Sequence, residues 1–216
     1  MKKGFARHAA LALAAAGTMG LSATANAQGV RFVGNTTGCF FTGAATCTGT
    51  TSSAFSNLVF NGSTFDAKSN PADGLFTLGS TVGNLNNLGS FTLTDGNTNY
   101  TGQQFALFLN FTQPTGVSGN NKYTAMLTGN LSSSTTGNVF VDFNNDPHNF
   151  TFTDGTKLSF AVNDVSVDDQ ATGVATVAIT GQGLTTTTTP EPSSMALLGT
   201  GLVGLVPMFR RRKNKA

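Results

Sequence analysis

Apolar and polar residues alternate at every second position through much of this chain, which is the period of a strand rather than of a helix. Phe105, Leu107, Leu109 and Phe111 put four apolar side chains on one face, with Ala106 and Phe108 on the other. Both faces carry apolar residues there, so a central strand is expected. After the loop Gln113 to Asn121, the pattern resumes with Tyr123, Ala125 and Leu127. Val139, Val141 and Phe143 then alternate with Asn138, Phe140 and Asp142. Phe150 and Phe152 face one way, Asp154-Gly155 predicts a hairpin turn, and Leu158, Phe160 and Val162 return. Ala175, Val177 and Ile179, against Thr176 and Thr180, form the last strand that the pattern supports. Upstream, Leu58 and Phe60 lead through Asn61-Gly62 to Phe65, a second predicted hairpin. Leu75 to Leu78 and Phe91 to Leu93 add two strands, with Asp95-Gly96 as the next turn.

Short strands separated by Gly, Asn and Asp turns predict an all-β domain, an antiparallel β-sandwich of jelly-roll or Ig-like type. A β-solenoid would need a fixed short repeat, and the chain shows none. Threonine and phenylalanine favour strands, and glycine and asparagine favour turns. No soluble helix is predicted across 28–184, which is one domain's worth of chain and enough to bury a core.

Both ends break the pattern. Lys2, Lys3 and Arg7 precede an apolar stretch from Ala9 to Leu21 and the small-x-small triplet Ala25-Asn26-Ala27. These are the parts of a secretory signal peptide, with cleavage expected before Gln28. At the other end an apolar run, Met195 to Phe209, is followed by Arg210, Arg211, Arg212 and Lys213. Residues 193–209 are just long enough to span the hydrocarbon core, which needs about 17–25 residues of helix. The basic block is a membrane stop that stays on the cytoplasmic side. The predicted organisation is therefore signal peptide 1–27, β-sandwich 28–184, and a Thr-rich linker with Pro190, Glu191 and Pro192 over 185–192. A single C-terminal transmembrane helix over 193–209 and a basic tail over 210–216 complete it.

The triplet Pro190-Glu191-Pro192, the small-residue apolar segment and the arginine-rich end together resemble the PEP-CTERM sorting signal of Gram-negative bacteria. Thr189 stands where such tails usually carry an apolar residue. The resemblance covers about the last 27 residues of the chain. It implies export through the inner membrane and anchoring by the tail. An exosortase-type membrane protease-transferase would then act near the triplet, leaving the protein at the cell surface or outside. It also implies a link to exopolysaccharide and biofilm. The same tail has been catalogued as a C-terminal domain of ice-binding proteins. The stretch Phe150 to Val167 (FTFTDGTKLSFAVNDVSV) is similar to extracellular β-sandwich modules that precede such tails.

Removing both targeting segments changes the charge. Only Arg31, Lys68, Lys122 and Lys157 remain, against nine aspartates, so the body is mildly acidic. A basic patch for nucleic acid is excluded. Cys39 and Cys47, exported to an oxidising compartment, are expected to form one disulfide worth about 2–3 kcal/mol. No catalytic set emerges. The body's one histidine, His148, reads as a solvated loop side chain, and a paired-carboxylate site would have to use aspartates alone, of which Asp164, Asp168 and Asp169 read as a polar turn. Asp142, Asn144 and Asp146 begin like a calcium loop, but Pro147 replaces its glycine, and Thr153 stands at the bidentate position. Asp164, Asp168 and Asp169 are a second oxygen cluster. No metal or other cofactor is assigned.

Asn-x-Ser/Thr triplets at Asn35, Asn61, Asn99, Asn110, Asn130 and Asn149 arise by chance in so Asn-, Ser- and Thr-rich a chain. The run Thr185 to Thr189 is the better modification site. The expected function is that of an exported, non-catalytic surface or matrix protein. The alternatives are a carbohydrate- or calcium-dependent adhesive module, which needs an aromatic platform from Tyr100, Tyr123 or the phenylalanines, and ice binding through Thr92/Thr94 and Thr151/Thr153.

Overall fold

The structure is a computed structural model that describes residues 29–79, 86–131, 137–168 and 173–186. The signal segment, Pro190 to Pro192, the span 193–209 and Arg210 to Lys213 lie outside the described residues. Among the described residues, no helix is long and apolar enough to cross a membrane.

The described strands are β1 (Arg31–Phe41), β2 (Ser52–Phe55), β3 (Leu58–Asn61), β4 (Thr64–Lys68), β5 (Leu75–Leu78), β6 (Ser90–Thr94), β7 (Thr98–Asn99) and β8 (Gln104–Gln113). They continue as β9 (Lys122–Leu131), β10 (Asn138–Phe143), β11 (His148–Thr151), β12 (Lys157–Val162), β13 (Val165–Asp168), β14 (Val174–Ala178) and β15 (Gly181–Thr186). One seven-stranded sheet runs β13-β10-β9-β8-β1-β4, with β7 added to β9. Two four-stranded sheets run β11-β12-β15-β5 and β14-β6-β3-β2. All neighbours are antiparallel. The all-β, antiparallel class expected from the sequence is the one found.

Alternation places the core as predicted. β8 lies between β1 and β9, with Phe105, Ala106 and Leu107 all fully buried. β10 alternates exposed and buried along its whole length. The Asp154-Gly155 hairpin forms as β11–β12, pairing Phe150 with Leu158. Its Gly155 has φ 84°, where a side chain would be strained.

Two readings are corrected and one strand is added. Asn61-Gly62 does not close a hairpin, because β3 pairs with β2 and β6 while β4 pairs with β1. The chain crosses there from one sheet to another. Gly62 is needed for close approach, since a Cβ on it would come 2.3 Å from the Thr36 carbonyl oxygen. The last strand is β15, not β14, so Thr185 and Thr186 belong to a sheet rather than to the linker, and Thr185 is buried. β1, the longest strand, carried no readable alternation. Its inward positions are Phe32, Gly34, Thr36, Gly38 and Phe40. Added Cβ atoms would meet the Phe65 ring at 2.5 Å from Gly34 and the Phe105 ring at 2.4 Å from Gly38. Aromatic rings from neighbouring strands lie on these glycines and fill the space a side chain would take. β15 uses the same device, with the Phe160 ring lying on Gly181 and Gly183.

The rings also show how the sheets meet. Phe105 on β8 contacts Phe60 and Phe91, each at a 5.0 Å centroid distance. Phe32 on β1 contacts Phe76 at 4.6 Å, and Phe111 contacts Phe150 at 5.1 Å. The seven-stranded sheet thus faces both four-stranded sheets across one shared core.

Start and end of the described body lie at one pole. Ser69 N donates to the Val30 carbonyl at 2.8 Å, Asn70 N to that of Leu75 at 2.7 Å, and Thr185 N to that of Gly74 at 2.9 Å. β1 then carries the chain about 33 Å, at ~3.3 Å per residue, to Phe41 at the far pole.

Candidate binding face

Strand register assembles a row of side chains on the outer face of the seven-stranded sheet. Phe41 sits opposite Gln104, Gln104 opposite Met126, and Met126 opposite Asp142. All four point away from the core, because their neighbours Phe105, Ala125 and Phe143 point into it. The adjoining row is Cys39, Ala106 and Thr124, and beyond it come Thr37, Phe108 and Lys122. Lys122 Nζ lies 5.2 Å from the Phe41 ring centroid and 6.0 Å from that of Phe108, within cation–π range. Asn144 N donates to the Thr124 carbonyl at 3.1 Å and closes one side. The result is a groove of about 440 Å³ lined by Phe41, Gln104, Lys122, Met126, Asp142 and Asn144 among others.

The disulfide forms as expected between Cys39 and Cys47, with Cα atoms 6.0 Å apart. It ties the loop after β1 onto this face. A Cβ on Gly49 would come 2.7 Å from the Phe108 ring and 2.5 Å from Thr37 Oγ1, so the loop is packed against the sheet. The disulfide therefore braces the rim of the groove.

Other predicted residues disperse. Asn144 Oδ1 accepts from Asp146 N at 3.2 Å, and Asp164 accepts from Phe143 N at 2.9 Å, so these oxygens serve the backbone. Asp142 stays on the sheet face and Asp168 bonds Ser166. Asp169 lies outside the described residues. Among the described residues, no three of His, Cys, Asp and Glu group as a metal site would require.

His148 is half-buried and lies on a strand rather than in a loop. It begins β11, its ring stacks on Tyr123 at 4.1 Å and 17°, and Nδ1 is 3.0 Å from the Asn120 carbonyl oxygen. Tyr123 is buried beneath it and donates its hydroxyl to the Phe160 carbonyl at 2.8 Å. Burial pushes this phenol well above its ordinary range. Tyr100 is also fully buried, so neither tyrosine can serve as an exposed platform.

The threonine rows separate as well. Thr92 bonds Thr176 across β6 and β14 at 3.1 Å, whereas Thr151 and Thr153 belong to the β11 region, where Thr153 donates to the Thr115 carbonyl. Thr92 and Thr151 lie in different sheets.

At the start of β1, Arg31 Nε donates to Asp66 Oδ1 at 2.7 Å, and its Nη2 contacts the other oxygen. The exposed guanidinium's hydrogen bond holds the Asp66 carboxyl below its usual range.

Sequence reasoning missed the groove because register alone aligns Phe41 with Gln104, and β1 was not recognisable. The one available signal was outward Phe140 and Asp142, which mark β10 as having a solvent face.

Residues 188–213 match the model of the PEP-CTERM protein-sorting motif. No curated protein and no solved structure matches the chain.

Proposed function

We propose that the all-β body is delivered by the sorting motif, which begins two residues after β15 ends. The motif carries an exosortase-sorted, exported protein that is held at the membrane by its tail before processing.

We propose that this is a non-catalytic protein of the cell surface or extracellular matrix, with an extracellular β-sandwich body, linked to exopolysaccharide and biofilm. The motif match is the observation that carries the reading. The sandwich is supported by the ring contacts between the seven-stranded sheet and both four-stranded sheets. A non-catalytic role is supported by His148, whose ring is engaged by Tyr123 and a backbone carbonyl. The pole shared by Val30 and Thr185 supports a body with both processing sites facing the membrane. Signal peptide, transmembrane helix and basic stop belong to this reading as its means of delivery.

The test is replacement of Pro190, Glu191 and Pro192 by alanine in the native host. The expected result is an unprocessed chain retained in the membrane fraction. A variant processed and released like the parent would overturn the reading.

A further inference from the structure

We infer that the groove on the outer face of the seven-stranded sheet binds an uncharged polysaccharide chain. The inference deepens the reading of the protein as a matrix component and rests on it for its biological setting.

The row Phe41–Gln104–Met126–Asp142 crosses four adjacent strands, β1, β8, β9 and β10. A chain laid along it meets a new side chain every ~4.8 Å, the spacing between strands. Apolar and hydrogen-bonding groups alternate in that row. Phe41 and Met126 offer surfaces for the C–H faces of sugar rings, and Met126 is 46% exposed. Gln104 and Asp142 offer a donor–acceptor amide and an acceptor for hydroxyls.

Several observations narrow the ligand. Asp142 and Lys122 both line the groove, so a ligand of either net charge meets one like charge. The side chains of Gln104, Thr124 and Asp142 have no hydrogen-bond partner among the described residues. Farther along the same face polar side chains pair with one another: Asn121 Nδ2 donates to Asn110 Oδ1 at 3.4 Å, and Asn110 Nδ2 to Thr37 Oγ1 at 3.5 Å. A peptide strand would be captured by backbone hydrogen bonds at an open sheet edge. Here β8 and β9 lie between paired neighbours on both sides, so only side chains can read the ligand. Such a ligand must present many hydroxyls and apolar ring faces along an extended chain.

Placement agrees. The row lies at the Phe41 end of β1, opposite the pole from which the sorting tail departs. A body held by its tail therefore turns this groove away from the membrane.

Affinity electrophoresis of the processed, disulfide-intact protein through gels containing dextran, soluble starch, laminarin or galactomannan, with alginate as the charged counterpart, tests this. The expected result is retardation by at least one neutral polymer. Gln104→Ala and Asp142→Ala, both at solvent-facing positions and checked for unchanged melting, should weaken it at least tenfold. Thr176→Ala, on the outer face of another sheet, should not. Retardation by alginate alone, by no neutral polymer, or equally in both groove variants would overturn the inference. The result is independent of sorting, which is read from the tail variant.

Discussion

Phe105 offers the sharpest test of how the sheets are held together. It is fully buried on the central strand β8, and its ring lies 4.9 Å from Phe40, 5.0 Å from Phe60 and 5.0 Å from Phe91. A fourth contact reaches Phe143 at 6.3 Å. Two of these partners are in the facing sheet. Truncating a buried phenylalanine costs about 3–5 kcal/mol, and the cost rises when the walls cannot collapse into the cavity. The walls here are rings fixed in both layers, and they also lose the geometric gain of aromatic pairing. Phe105→Ala should therefore sit near the top of that range, about 4–5 kcal/mol. At about 2–4 °C per kcal/mol for a domain of this size, melting should fall by roughly 8–20 °C. Phe108→Ala, three residues along the same strand but half-exposed on the outer face, should cost only about 1–2 kcal/mol. Urea unfolding followed by far-ultraviolet circular dichroism measures both. A double-mutant cycle with Phe91→Ala should show coupling, because the rings touch. Equal costs for the two positions, within about 1 kcal/mol, would refute the facing-sheet arrangement.

Three further outcomes are expected. The Cys39→Ser/Cys47→Ser double variant should lose about 2.5 kcal/mol, the loop-closure entropy for its short loop, in urea unfolding, with the fold retained. Tyr123→Phe removes a buried hydroxyl that donates to the Phe160 carbonyl and should cost about 1 kcal/mol, whereas Tyr100→Phe removes a buried hydroxyl that makes no hydrogen bond of normal geometry among the described residues, with Thr98 and the Asn57 backbone nearby, and should cost less in the same assay. The Asp66 carboxyl is depressed in the folded state, so its contribution is present above the ordinary carboxylate pKa of about 3.9 and is lost as pH falls through the lowered value. Arg31→Gln should thus lower the melting temperature slightly at neutral pH and at low salt, and match the parent in strong acid.

Much of this fold was legible because strands such as β10 and β12 place apolar side chains inward at every second residue. What was not legible has one physical cause. Between Phe32 and Phe40 of β1, and along β15, the inward positions are held by glycine and threonine, and the apolar volume there comes from Phe65, Phe105 and Phe160 on other strands. Hydrophobic periodicity reports a strand's own side chains and is silent where the core is filled by its neighbours. The one leucine of β15, Leu184, faces outward and is 51% exposed, so it pointed the wrong way. Asn61-Gly62 misled for a related reason, because the same glycine that permits a tight turn permits a backbone crossing. The disulfide was readable from two cysteines close in sequence. The groove was not, because it is a product of register across four strands.

The most direct test of sorting through the tail is the intact mass of the protein recovered from the surface fraction of its native host. The account predicts a chain beginning near Gln28 and ending close to Pro190, with the apolar segment and Arg210 to Lys213 gone. A surface form that still carries residues 193–216, or a chain found only in the inner membrane with its tail intact, would contradict it.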